Sequence, residues 1–378
     1  MTRSVRVPTA VVAGLLMMSA TAAVAAPKTV PGPGPEPQCF KPWKADTKYY
    51  QWTKKDGPYR IAIVNGFVGN TWRIQMIQTA KAYAEQTGMK DKIKELKVVS
   101  TGTDVAAQLG AMEDFINQGY DAIVTIAVAP DGFDRVIRLA DRNNVVVVPF
   151  DNVLDTDKVM QVNEDQLEIG RISARHILKE LGSKRDGKVL EVRGLPGNSV
   201  DRDRHLGFRE VMEKEAPNIQ IIEIVGNWDD GTSQKATADA LAVHGRFDAV
   251  FTQGGSTGTV RAMMDAKHPF VPMAGEAENG FRKLIATHAK DGLKGLSYGQ
   301  SAGLVAISMK AAISALEGNP MPQLISVPIP VEDYTSLKAG VNYWPDLTDN
   351  FFAANAFPAC GVNISAPEIM AKDAKNIQ

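Results

Sequence analysis

The 378-residue chain is poor in the residues that most catalytic and metal-binding classes need. Cysteine occurs only at Cys39 and Cys360, and the pair lacks CxxC spacing, which excludes a dithiol redox motif. The five histidines, His176, His205, His244, His268 and His288, are scattered, with no His/Cys/Asp grouping at metal-ligand spacing, so no metal site is expected. No G-x-x-x-x-G-K-[ST] phosphate loop is present, and no G-x-G-x-x-G follows the first apolar strand, so no nucleotide or other cofactor is expected. Excess charge is missing too. Lys plus Arg is 42 and Asp plus Glu is 43, a formal net charge of -1, and no basic run stands out; nucleic acid and anionic membrane surfaces are disfavoured as partners. No apolar stretch approaches the ~20 residues of a bilayer span.

The first residues instead have the layout of an export signal: Arg3 and Arg6, a short apolar run from Val11 to Met18, and a small-x-small site at Ala23-Val24-Ala25. Residues 1–26 are read as a cleaved signal peptide, and the mature chain as a soluble, exported product. Thr29 to Pro37 is Pro/Gly-rich and predicts an extended segment. In an oxidising compartment Cys39 and Cys360 are expected to form a disulfide that pins an N-terminal arm to the C-terminal tail.

From Pro58 onwards apolar runs alternate with amphipathic stretches. Strands are predicted at Arg60–Asn65, Lys97–Val99, Ala122–Val128, Val145–Val148, Val189–Val192, Ile219–Val225, Ala249–Gln253, Val271–Ala274, Leu293–Tyr298 and Val327–Val331. Helices fall between them, including Asp203–Glu215 and Gly303–Glu317. Fully apolar strands separated by helices imply parallel sheets covered on both faces. The number of units is about twice that of one Rossmann-like domain, so the fold class is α/β, two doubly wound parallel-sheet lobes. Ligands of such sheets sit beyond the carboxyl ends of the strands. The segments there are Gly66–Arg73, Asp151-Asn152, Gly194–Arg204, Gly226–Gly231, Gly254–Gly258, Glu276–Asn279 and Tyr298–Ser301. They are rich in Asn, Asp, Glu, Arg, Gln and Trp, which suits a polyhydroxyl ligand: carboxylates accept from hydroxyls, guanidinium groups donate, and indole faces cover C–H surfaces. Trp72 and Trp228 are the aromatic candidates. Arg202 and Arg204 are placed in a charged loop just before a helix.

One segment points to an enzyme. Gly254-Gly255-Ser256-Thr257-Gly258 matches G-x-S-x-G between a predicted strand and helix, and a secreted serine hydrolase would use Ser256 with Asp265 or Asp291 and His268 or His288. No HGGG-type oxyanion loop precedes it, His288 is placed mid-helix, and Gly-rich strand-to-helix turns arise for steric reasons alone. The favoured reading is a binding protein without catalysis.

Ile61–Val64 is followed by Gly69-Asn70-Thr71-Trp72, then by Gly119–Ile123, Val147–Asp151, Gly197-Asn198-Ser199 with Arg202-Asp203-Arg204 and Gly207-Phe208, and Phe247–Phe251. By these marks the chain between Tyr59 and Tyr334 resembles the ribose-type periplasmic sugar-binding family, the substrate-binding subunits of bacterial ABC importers. The resemblance implies two lobes joined by a three-segment hinge, with crossings near Val162-Asn163, Tyr298-Gly299 and Pro328. It places one lobe at 58–162 plus 300–328 and the other at 163–298 plus 329–340. Residues 27–57 form an arm, and 341–378 a tail packed back on a lobe. By position the family's ligand contacts fall on Asn70, Trp72, Arg73, Asp151, Asn152, Arg204, Trp228, Gly254, Glu276 and Gln300. Arg73 stands where the family usually has an aromatic, and Gly254-Gly255 where it has Asn-Asp; the first is compatible with a sugar acid, the second with a bulkier ligand. The implied function is capture of a small polar ligand (a sugar, polyol or sugar derivative) between the lobes and delivery to an ABC transporter permease by a monomer. A ligand-presenting sensory adaptor is the alternative within the same fold.

Overall fold

The computed structural model describes residue 1 and residues 26–376. The expected signal peptide therefore lies almost entirely outside the described residues, and no described helix is long and apolar enough to cross a membrane. Two separate parallel sheets carry the chain.

The first has four strands in the spatial order Ile93–Ser100, Tyr59–Asn65, Ala122–Ile126 and Val146–Pro149, all parallel. Its central strand is solvent-free from Ile61 to Val64 because helices lie on both faces. Thr71–Glu85 and Leu304–Leu316 cover one side, Val105–Asn117 and Asp134–Arg142 the other. Ile93–Ser100 is longer than the predicted Lys97–Val99. It is an edge strand whose residues are mostly half-exposed, so its polar Lys94, Glu95 and Lys97 hide the strand from an apolar-run criterion.

The second sheet has six strands in the order Val331–Asp333, Gly295–Tyr298, Met273–Glu276, Ala249–Thr252, Asp186–Arg193 and Asn218–Val225. All pairs are parallel except the edge pair of Val331–Asp333 with Gly295–Tyr298. Helices Gln166–Leu181 and Ser199–Glu215 pack on one face and Asp230–His244, Ser256–Asp265 and Asn279–His288 on the other.

The helix expected at Asp203 begins at Ser199, with the Asn198 side chain accepting from the Val200 N–H as an N-cap. Arg202 and Arg204 are thus helical, not loop residues. The strand expected at Val327–Val331 is divided: Leu324–Ser326 pairs in parallel with Gln161–Asn163, and Val331–Asp333 joins the six-stranded sheet. Pro328 and Pro330 separate the two, having no N–H to give to a ladder. Gln161–Asn163, Leu324–Ser326 and the segment after Tyr298 connect the regions around the two sheets.

The arm Lys28–Val30 pairs with Tyr49–Gln51, which pairs in turn with Met321–Pro322. Cys39 and Cys360 are bridged, as expected. The sequence expects residues 341–378 to pack on one lobe; the segment instead touches both halves. Asn279 donates to the Trp344 and Thr348 carbonyls on the six-stranded side, and Gln78 donates to the Lys372 carbonyl on the four-stranded side.

Candidate functional site

The carboxyl ends of the two sheets face one another across a narrow cavity. Nine of the ten residues singled out by position line it: Asn70, Trp72, Arg73, Asp151, Asn152, Arg204, Trp228, Glu276 and Gln300.

On the four-stranded side, Asn70 caps the helix Thr71–Glu85 by accepting from the Arg73 N–H at 3.0 Å. The cap presents the helix's first turn to the cavity. Trp72 donates its indole N–H to the Gln300 carbonyl at 3.0 Å, joining this turn to the segment that leaves the second sheet. The Arg73 guanidinium donates to the Asn65 side chain at 2.7 Å and lies over the Phe67 ring at 5.0 Å. Burial pushes it down to about 10, opposed by the Asp151 carboxylate. Asp151 follows the strand Val146–Pro149 in a left-handed conformation, φ 58°, held by its N–H on the Val162 carbonyl. Burial pushes its carboxyl up to about 7 against the pull of Arg73 and Arg204. Asn152 is tied to the Ala127 carbonyl at 3.0 Å.

On the six-stranded side, Arg204 is fully buried and engaged on every side. It donates to Gln166 at 2.9 Å, to the Gln253 carbonyl and Glu276 at 2.6 Å each, and to Gln300 at 2.8 Å. Two glycines make this geometry possible. A Cβ on Gly170 would fall 2.2 Å from the Arg204 carbonyl, and one on Gly207 2.0 Å from the Leu167 carbonyl. Helices Gln166–Leu181 and Ser199–Glu215 therefore meet backbone to backbone, and Gln166 reaches Arg204. Trp228 has φ 57° and seats its indole where a Cβ on Gly194 would be, 2.2 Å away. Gly254 does not line the cavity. A Cβ there would lie 2.9 Å from the Trp228 ring and 3.0 Å from the Glu276 carboxylate, so glycine clears the space those two occupy.

Three lining atoms are buried without a hydrogen-bond partner among the described residues: Asp151 Oδ1, Trp228 Nε1 and Gln300 Nε2. One accepts and two donate, and they come from both halves of the molecule. Such atoms are costly to leave unpaired and mark where a ligand's polar groups belong. The arrangement suits a ligand that both donates and accepts: Arg204 is already committed to Glu276 and three neutral acceptors, while the Arg73 guanidinium donates to Asn65.

Sequence reasoning missed Val200, Phe352 and Glu164. Val200 and Phe352 line the cavity. Glu164 is fully buried beside it; burial pushes it up to about 8, reinforced by Asp151 and Glu276 and opposed by Arg204 and the Ser301 backbone. An acidic residue directly after the crossing Gln161–Asn163 was a readable signal; Phe352, on the tail, carried none.

The G-x-S-x-G segment is a strand-to-helix turn, but its groups are occupied. Ser256 is buried, with its hydroxyl 2.8 Å from the Thr252 hydroxyl and accepting from the Glu276 N–H. The Ser256 and Thr257 N–H groups, where an oxyanion would need donors, both donate to the Glu278 carboxylate. His268 accepts from the Phe247 N–H, and His288, the last residue of its helix rather than a mid-helix one, pairs with Asp291. Glu191, His205 and Glu223 converge at metal-like distances. Arg193 and Arg209 already share both carboxylates, which makes the group an ion-pair network.

Comparison with known proteins gives the following. The family described as periplasmic binding protein domain matches residues 61–320. The galactofuranose-binding protein YtfQ of Escherichia coli K12 is 32% identical over 155 residues, which cover 40% of this chain and 46%, about half, of that protein. The ribose import binding protein RbsB of Bacillus subtilis 168 is 23% identical over 292 residues, 75% of this chain and 91% of that one. A crystal structure of a galactofuranose binding protein superposes with a TM-score of 0.66 at 20% identity, covering 74% of this chain and 95% of that chain.

Proposed function

The chain belongs to the periplasmic binding protein family, and on that premise we propose that it captures a neutral polyhydroxyl ligand, a sugar or polyol, in the cavity between the two sheets. The observation that carries this is the set of buried atoms at Asp151, Trp228 and Gln300, unpartnered among the described residues, around one space. A ligand hydroxyl donates to Asp151 and others accept from Trp228 and Gln300, while the Trp72 and Trp228 faces cover the ring's C–H surface. The relatives' names, galactofuranose-binding and ribose import binding, support a carbohydrate of this kind.

In this reading the body around the four-stranded sheet, residues 58–162 with 300–328, and the body around the six-stranded sheet, residues 163–298 with 329–340, are lobes that close over the ligand about the crossings. The protein is exported, works as a monomer in the periplasm, and presents the closed form to an ABC transporter permease. No catalysis is involved: the occupied groups around Ser256 support binding over ester hydrolysis.

The test is a thermal-melting and Trp-fluorescence screen of the mature chain against pentoses, hexoses, polyols and sugar acids. We expect one neutral class to raise the melting temperature in a concentration-dependent way and to shift the emission. A response confined to sugar acids, or none at all, overturns the reading.

A further inference from the structure

Residues 341–378 lie outside the region matched by the family, yet one of them reaches the cavity. Phe352 is buried, and its backbone is held from both halves of the molecule. On the four-stranded side, the Gln75 side chain accepts from the Phe352 N–H at 2.8 Å and donates to its carbonyl at 3.0 Å, as a strand partner would. On the six-stranded side, the Asn279 N–H donates to the Phe351 carbonyl at 2.7 Å, and the Ala353 N–H to the Ala277 carbonyl at 2.8 Å. Asp349 is anchored by Arg261 and Lys283, and Cys360 by the disulfide to Cys39, so the stretch between them is pinned at both ends.

The placement of Phe352 has a consequence for what fits. A second space adjoins the cavity, lined by Gly69, Asp229, Asp230, Glu278 and Asn350 among others. Asn70, Trp228 and Phe352 line both spaces. The two spaces meet at these residues, of which Phe352 is the one that the tail supplies.

We infer that Phe352 is a specificity-determining residue: it bounds the cavity against the adjoining space and restricts the ligand to a single ring or a short polyol. This rests on the binding-protein reading above. Exclusion of a larger ligand by a fixed wall is the negative half of specificity. With the two halves together, as here, this stretch is bonded on both edges, so a longer ligand cannot displace it without breaking the Gln75 pair or the pairing with Ala277 and Asn279.

The experiment compares wild type, Phe352→Ala and Phe352→Leu by calorimetric titration. The probes are D-ribose, D-allose, D-galactose, xylitol and myo-inositol, with the methyl glycosides of the three sugars and lactose as extended forms. We expect wild type to bind at least one monomeric probe and to reject its extended form. Phe352→Ala should bind that monomer at least ten-fold more weakly and narrow the gap to the extended form at least ten-fold; Phe352→Leu, which keeps the apolar bulk, should fall between. If the Ala variant does not fold by circular dichroism, the Leu variant alone decides, with a three-fold narrowing expected. Equal loss for monomer and extended form, or no change, overturns the inference while leaving the binding reading intact. Failure of wild type to bind any probe overturns the reading and the inference with it.

Discussion

Asp151 and Glu164 are carboxyl groups that burial holds well above the ordinary carboxylate range, at about 7 and about 8. Their signs can be worked out. An acid whose folded pKa is raised binds more protons in the folded than in the unfolded state, so its contribution to stability falls as pH rises from about 4 to the folded value. Glu164→Gln is therefore expected to flatten the loss of melting temperature between pH 5 and 9; equal slopes in both proteins would rule out the buried carboxyl as its source. Ligand binding has the opposite dependence. A hydroxyl that donates to Asp151 favours the ionised form and lowers its pKa in the complex. Affinity should then weaken as pH falls below about 7 and level off above it, and Asp151→Asn should bind weakly with no such slope. At the same scale, Trp72→Ala should weaken binding by about 1–3 kcal/mol, the range for a buried aromatic anchor, and a wild-type dissociation constant would remove Trp72 from the site.

Among the elements, the helix pair Gln166–Leu181 and Ser199–Glu215 does the most to shape the site, through two residues that touch nothing in the cavity. The Cβ distances at Gly170 and Gly207 leave no room for a side chain against facing backbone. Gly207→Ala should push the helices apart, cost roughly 1–3 kcal/mol as overpacking does, and weaken ligand binding by displacing Arg204; denaturant unfolding and titration read the two effects separately. Unchanged affinity in a destabilised variant would show that Arg204 does not depend on this contact. The start of Ser199–Glu215 was legible in principle: Asn198 is a strong N-cap residue, but the run of Asp and Arg after it resembles a solvated loop, since charged residues carry no apolar period. The same limit hid the half-exposed edge strand Ile93–Ser100, whereas Tyr59–Asn65, apolar from Ile61 to Val64, and the all-apolar Val146–Pro149 were plain from their composition.

For the molecule as a whole, the bridge between Cys39 and Cys360 closes a loop with a sequence separation of 321. The chain-entropy account gives a loop this long about 5–6 kcal/mol through the unfolded state, where disulfides typically contribute about 2–4. The paired Cys39→Ser and Cys360→Ser variant should melt at a lower temperature with its fold intact by circular dichroism. An unchanged melting temperature would mean that the arm, through Lys28–Val30 and Tyr49–Gln51, already holds the tail in place by other contacts.

Composition and pattern by themselves determined the class of this protein. Balanced charge, two lone cysteines and twice-repeated strand–helix alternation leave few architectures, and the strand-end rule led to residues that do meet around one cavity. That rule works because parallel sheets direct all their strand termini to one edge, so position along the chain encodes position in space. What only the tertiary structure decided was which of those residues have hydrogen-bonding capacity to spare. Arg204 and Asp151 look alike as polar strand-end residues; one is saturated by four neighbours and the other is left with a free oxygen, and that difference depends on packing between segments far apart in sequence. Phe352 is the extreme case, because no local period or motif records that a tail outside the repeated pattern will be held between Gln75 and Asn279 at the mouth of the site.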